Sequence, residues 1–185
     1  REYRPTDSMR RINWKSTAKA GKLLVNMYES SFSQEIQILL NGDCRDERHK
    51  RELQEMAISL ASSIAAELLQ KGVPVSLSGN LTDILSKEPV CCEAGVHKSH
   101  LEKMDRRLAL ADTEQLSGSF AELIKKSGND GETDKCYLVI TAEDTEDIRA
   151  AVEAKRTDGE AVYGIIICRE GESGPAREGF LWWEV

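Results

Sequence analysis

The 185-residue chain is short of most features that would announce a chemistry. It holds no apolar run near the ~18 residues of a membrane-crossing helix, which excludes such a span within this sequence. It has no Gly-x-Gly-x-x-Gly turn and no glycine-rich loop ending in Gly-Lys-Ser, so the backbone nests that cradle phosphates have no support. A Gly-x-Ser-x-Gly elbow is also missing, which weakens a hydrolase reading. Histidine is scarce. His49, His97 and His100 all lie in polar stretches and are expected on solvated faces rather than at a catalytic centre. The five cysteines are an odd number without a repeated two-residue gap, which argues against a disulfide framework and for a reducing compartment. Cys136 and Cys168, at the margins of apolar runs, are expected to pack as small hydrophobes. One grouping has the residue types of a zinc site, Cys91-Cys92 followed by His97 and His100. Adjacent cysteines in a strand point to opposite faces, so ordinary packing is expected there instead.

What is present is the composition of a globular domain, 40% hydrophobic and 31% charged, long enough for one core of two or three layers. The chain starts with Arg rather than Met and shows no signal-peptide pattern, so it is expected to be a piece of a longer protein. Its charge is uneven. Arg1, Arg4, Arg10, Arg11, Lys15, Lys19 and Lys22 face only Glu2 and Asp7 at the start, which leaves the remainder more acidic than the total of -7. A basic segment of this kind can lie against the acidic body in cis, or meet an acidic partner or an anionic lipid surface. Nucleic acid is not expected as a partner, because the acidic body would repel phosphates.

Hydrophobic periodicity sets out the order of elements. Residues 34–40 read as a strand ending at Asn41-Gly42-Asp43. Leu53, Met56, Ala57, Leu60, Ala61, Ile64, Ala65 and Leu68 keep helical spacing up to a stop at Gly72. A strand over 73–78, a short one over 90–93, a helix over 97–112 and another over 120–127 follow. The later part reads as a strand over 136–140, a helix capped by Asp144 and ending near Gly159, and strands over 162–168 and 180–185. The run Val162 to Cys168 does not alternate with polar residues, which marks a strand covered on both faces. Together these predict an α/β fold with a doubly wound, mostly parallel sheet flanked by helices, Rossmann-like in plan. Ligands of such sheets bind at the carboxyl ends of the strands.

No packing requirement explains the opening segment: Arg1-Glu2-Tyr3, Asp7, Arg10-Arg11-Ile12, Trp14-Lys15, Ala18, Leu23, Val25 and Glu29. This order resembles the signature of the bacterial domain of unknown function 58 family, with departures at Thr6 and Lys19. The resemblance divides the chain into a signature extension, residues 1–30, and a von Willebrand factor A-like α/β domain, residues 31–185. That fold often carries Asp-x-Ser-x-Ser at its first strand's end, where the oxygens bind a divalent cation. Here Asn41, Asp43 and Arg45 stand at those positions, and Ala142 stands where a later aspartate is common. A guanidinium in place of a ligand hydroxyl brings positive charge to the ion's position, so the corner is expected to be degenerate and to hold no metal. No cofactor is expected.

The resemblance further implies a bacterial membrane-associated parent whose soluble part faces a reducing, cytoplasmic compartment, and a MoxR-type AAA+ ATPase as partner. The expected role is a non-enzymatic protein-interaction module. Arg4, Arg10, Arg11, Trp14 and Lys15 are the candidate docking residues, since aromatic anchors among guanidinium groups suit an acidic surface. The alternative is a metal-dependent α/β enzyme using acidic residues at the strand ends, Asp43, Glu143 and Asp144.

Overall fold

The computed structural model describes residue 17 and residues 21–23, 34–128 and 135–185. The chain divides into two units, Arg1–Phe32 and Ser33–Val185, and the architecture below is that of the second. The docking candidates Arg4, Arg10, Arg11, Trp14 and Lys15 lie outside the described residues.

The elements run in the order β1 (Glu35–Leu40), α1 (Lys50–Gln70), β2 (Val75–Asp83), β3 (Pro89–Gly95), α2 (Lys98–Ala109), β4 (Ala111–Leu116), α3 (Phe120–Lys126), β5 (Lys135–Thr141), α4 (Glu146–Thr157), β6 (Ala161–Cys168) and β7 (Phe180–Glu184). The strands form one seven-stranded sheet in the order β3-β2-β1-β5-β6-β7, with β4 paired to β2. Pairing is parallel from β2 through β7. Only β3 and β4 are antiparallel, both against β2. The expected fold class, α/β with a doubly wound, mostly parallel sheet flanked by helices, is the one observed.

Two cores explain why the sheet is covered on both sides. Alternate residues of β1 point to opposite faces. Ile38 and Leu40 join Leu53, Ala57, Ala61 and Ala65 of α1 and Met104 of α2 in one core. Leu39 joins Phe120 and Ile124 of α3 with Ile148 and Val152 of α4 in the other. All three β1 residues are fully buried. At about 1.5–3 kcal/mol for each large apolar side chain removed from water, these two layers supply the main favourable term of folding.

The polar flank departs from the sequence-based reading. β2 continues to Asp83, past the expected end at Ser78, and β4 occupies residues expected in part to extend the preceding helix. Thr82 pairs with Pro89 of β3 and with Asp112 of β4, so those strands lie on opposite sides of β2. β2 therefore outruns β1, and β4 pairs with the overhang. The helix α2 ends at Ala109 because the chain must turn to reach that pairing.

Three local expectations are corrected. The first turn of α4 is capped by Thr145, whose side chain accepts from Ile148 N, and not by Asp144. His100 is half-buried and bonds through Nε2 to Val75 O at 2.8 Å instead of facing solvent. His49 is also partly buried, with Nδ1 2.9 Å from Asp46 Oδ2. Cys92 is buried while its neighbour Cys91 is exposed, as alternation in a strand requires.

At the opposite edge, Gly164 of β6 lets the ring of Phe180 lie against the strand, since a Cβ there would come within 2.1 Å of that ring. The Arg156 guanidinium sits over the same ring, 5.5 Å from its centroid. It also donates to Val162 O and Glu178 O at 2.9 Å.

Candidate functional site

The chain reverses its winding direction between β1 and β5, which makes the carboxyl ends of these strands the place where a doubly wound sheet opens a crevice. Asn41 leaves β1 there, 3% exposed. Its Nδ2 donates to Thr141 Oγ1 at the end of β5, 3.0 Å away. Its Oδ1 accepts from Asn80 Nδ2 and from the Asp43 backbone N–H, both at 3.0 Å. Asn80 returns the connection by accepting from Gly42 N at 2.7 Å. Thr141 Oγ1 lies 3.0 Å from both Glu143 N and Glu143 O, which fixes the turn after β5. From α1, Gln54 Nε2 donates to Gly42 O at 2.6 Å and to Thr113 O at 3.0 Å, tying the corner to β4. Gly42 itself has no room for a side chain, since a Cβ would meet Leu81 at 2.1 Å.

Around this neutral frame stand three carboxylates. Asp43, Glu143 and Asp147 line a cavity of about 190 Å³ together with Asn41, Asn80 and Arg45. Glu143 is 8% exposed, and burial, followed by the repulsion of Asp43, pushes its pKa above the ordinary carboxylate range. Arg45 pulls the other way. Its Nε lies 3.6 Å from Glu143 Oε2, an ion-pair distance, while its own side chain is 79% exposed. Glu143 Oε1 is buried without any hydrogen-bond partner. Asp144, beside it, is committed elsewhere: its Oδ1 accepts from Arg177 Nη1 at 2.6 Å and Arg149 Nε at 3.3 Å, clasping the 169–179 loop to α4.

The donor set does not suit a divalent cation. Asn41 Oδ1 already accepts two hydrogen bonds, Asp144 holds two arginines, and Arg45 places a guanidinium beside the one buried carboxylate. Among the described residues no group of three or more His, Cys, Asp or Glu side chains is placed to hold a metal ion. The positions Asn41, Asp43 and Arg45 do meet at one corner, and Glu143 joins them. Asn80, Gln54 and Thr141 carry no local sequence pattern that marks them as partners of this corner. The one available signal was an amide in the continuation of a strand, at Asn80 after Gly79.

No curated protein matches the chain. Among solved structures, proximal thread matrix protein 1 from the mussel byssus aligns with a TM-score of 0.47 and 9% identity, over 80% of this chain and 39% of its own, so the present chain spans less than half of that protein. The conserved hypothetical protein BatB from Bacteroides thetaiotaomicron gives 0.45 and 16% identity, over 80% of this chain and 78% of its own. An aerotolerance-related membrane protein from Bacteroides fragilis gives 0.43 and 13% identity, over 79% and 78%. The signature expected at the start of the chain and the elements from β1 through α4 fall within one family model, described as Protein of unknown function DUF58: it matches residues 1–157, and the chain belongs to that family.

Proposed function

We propose that this domain is a non-enzymatic protein-interaction module of a bacterial membrane-associated protein, working with a MoxR-type AAA+ ATPase. The observation that carries this reading is an exposed apolar strip on the outer strands. Ile165 pairs with Leu181 and Ile167 with Trp183, so Tyr163, Leu181 and Trp183 share one face of the sheet. They are 54%, 58% and 43% exposed. Large apolar side chains grouped on one face beside a sheet edge are a feature of surfaces that meet another protein. Membership of the DUF58 family supports the choice of partner, through the ATPase expected with that family. The basic signature residues Arg4, Arg10, Arg11 and Lys15, with Trp14 as an aromatic anchor among them, would add a charged second contact, because guanidinium forks pair carboxylates directionally.

Binding of the whole chain to a purified MoxR-type ATPase tests the proposal. Leu181→Asp combined with Trp183→Ser is expected to weaken association about tenfold or more, as loss of interface anchors does. Replacing Arg4, Arg10 and Arg11 by Gln is expected to flatten its salt dependence. If both variants bind as the parent does, the reading fails. Binding to anionic vesicles in proportion to basic charge would assign the arginines to a lipid surface instead.

A further inference from the structure

The corner described above contains an unmet electrostatic demand. Glu143 is more than nine-tenths buried and its Oε1 has no partner, while the carboxylate is met by Arg45 through its backbone N–H and, at 3.6 Å from Oε2, through a guanidinium too distant for a good hydrogen bond. A buried carboxylate oxygen left without a donor is costly, and native proteins rarely tolerate one without a use. Asp43 and Asp147 line the same cavity. The positive pole of α4 is offset there by Glu146 and Asp147 in its first turn.

We propose that this corner receives a basic side chain, the guanidinium of an arginine or the ammonium of a lysine, presented by a partner protein, with Arg45 as its stand-in in the free molecule. This deepens the interaction-module reading and rests on it for the partner. The cavity, about 190 Å³, is below the range of small-molecule pockets, roughly 300–1,000 Å³, and is of a size for a side-chain tip. A planar guanidinium can donate to Glu143 and Asp43 together without the near-octahedral oxygen array that magnesium demands. The terminal torsion of a glutamate is soft, so Oε1 can turn towards an arriving donor. Arg45, largely in water and loosely paired, is easily displaced. An anionic ligand is disfavoured by the three carboxylates.

The test titrates the whole chain with a short arginine-containing peptide and with its citrulline counterpart, which keeps the shape but not the charge. The readouts are the carboxyl carbon resonance of Glu143 and the side-chain amide of Asn80. The arginine peptide is expected to move both saturably and the citrulline peptide neither. Glu143→Gln should weaken binding about tenfold, and Asp43→Asn, at an exposed position that leaves the fold undisturbed, about threefold. Arg45→Gln should tighten it about threefold, because the competing cation is gone. Equal responses to the two peptides, or weaker binding in Arg45→Gln, overturn the proposal. So does a saturable response to magnesium chloride in place of the arginine peptide. The partner reading fails separately: a chain that binds the arginine peptide but not the ATPase keeps the site and loses the assigned partner.

Discussion

The two flanks of the sheet solve the same problem with different materials. On the β5–β6–β7 flank, register runs without interruption and β6 buries Val162, Ile166, Ile167 and Cys168. On the β2–β3–β4 flank, register shifts occur against both neighbours, and β2 buries Ser76, Asn80, Thr82 and Asp83. Each of these polar residues has a designated partner. Ser76 donates to Glu35 at 2.6 Å, Asn80 joins Asn41 and Gly42, and Thr82 donates to Gln115 O at 3.0 Å. Asp83 accepts from Leu85 N, Ser86 N and Arg107. The apolar flank gains from area removed from water, which depends little on direction. The polar flank gains little from each bond made and loses much from each bond broken, so its geometry is the more strictly specified.

The largest effect is expected on the apolar side. Ile167→Ala, at a fully buried position in the α1 core, should cost about 3 to 4 kcal/mol in chemical unfolding, from lost transfer energy and the cavity left behind. Next comes the polar side. Asn80→Ala strips Gly42 N and Asn41 Oδ1 of a partner and should cost about 2 to 3 kcal/mol. The Asn41→Ala/Asn80→Ala double variant should cost less than the two singles together, because both belong to one network. A larger loss from Asn80→Ala than from Ile167→Ala would reverse the ranking and make the corner, not the core, the principal support.

Smaller effects appear in the pH dependence, with opposite signs for two carboxylates. Asp83 is held below the ordinary carboxylate range by the Ser86 and Leu85 N–H groups and then by Arg107. Its contribution is present above the unfolded pKa and is lost as pH falls through its depressed value. Glu143 is raised, so the stability linked to its proton is present below the unfolded pKa and is lost as pH rises through its raised value. Unfolding midpoints across acid and near-neutral pH should therefore show Asp83→Asn removing an acid-side loss and Glu143→Gln removing a loss that sets in just above the usual carboxylate range. The same slope in both variants would show that the flanks do not differ in this way. Smallest is Thr145→Ala, about 0.5 kcal/mol, since its capping bond is long at 3.4 Å.

The same contrast governs what the sequence discloses. The run Val162-Tyr163-Gly164-Ile165-Ile166-Ile167-Cys168 reads directly as a buried parallel strand, because area burial leaves its record in composition. β4, with the sequence Ala-Asp-Thr-Glu-Gln-Leu, has no such record and exists through pairing with the β2 overhang. Gly79 and Asn80 suggest a strand end by propensity, yet a Cβ at Gly79 would crowd Leu40 O at 3.3 Å and Asn80 wires the corner. The preference of acidic residues for the N-cap points to Asp144, but two arginines occupy its carboxylate. At the site, Asn41, Asp43 and Arg45 were legible by their place after a strand. Their partners Asn80 and Thr141 are 39 and 100 residues away from Asn41, and no local spacing encodes such a connection.

Phe180 resting in the notch of Gly164 has a consequence for how the molecule opens. Among the described residues β7 pairs with β6 alone and is reached through the 169–179 loop, so the ring, with Arg156 across it, acts as the catch of a hinged panel. Releasing that catch costs the β6–β7 ladder and the packing of Phe180 and Val185 at the margins of the two cores, and leaves the centre of each core in place. Amide protons of Leu181 to Glu184 should accordingly exchange with deuterium well ahead of those in β1 and β5. Any side chain at position 164 would leave the panel ajar while the rest of the sheet stays closed.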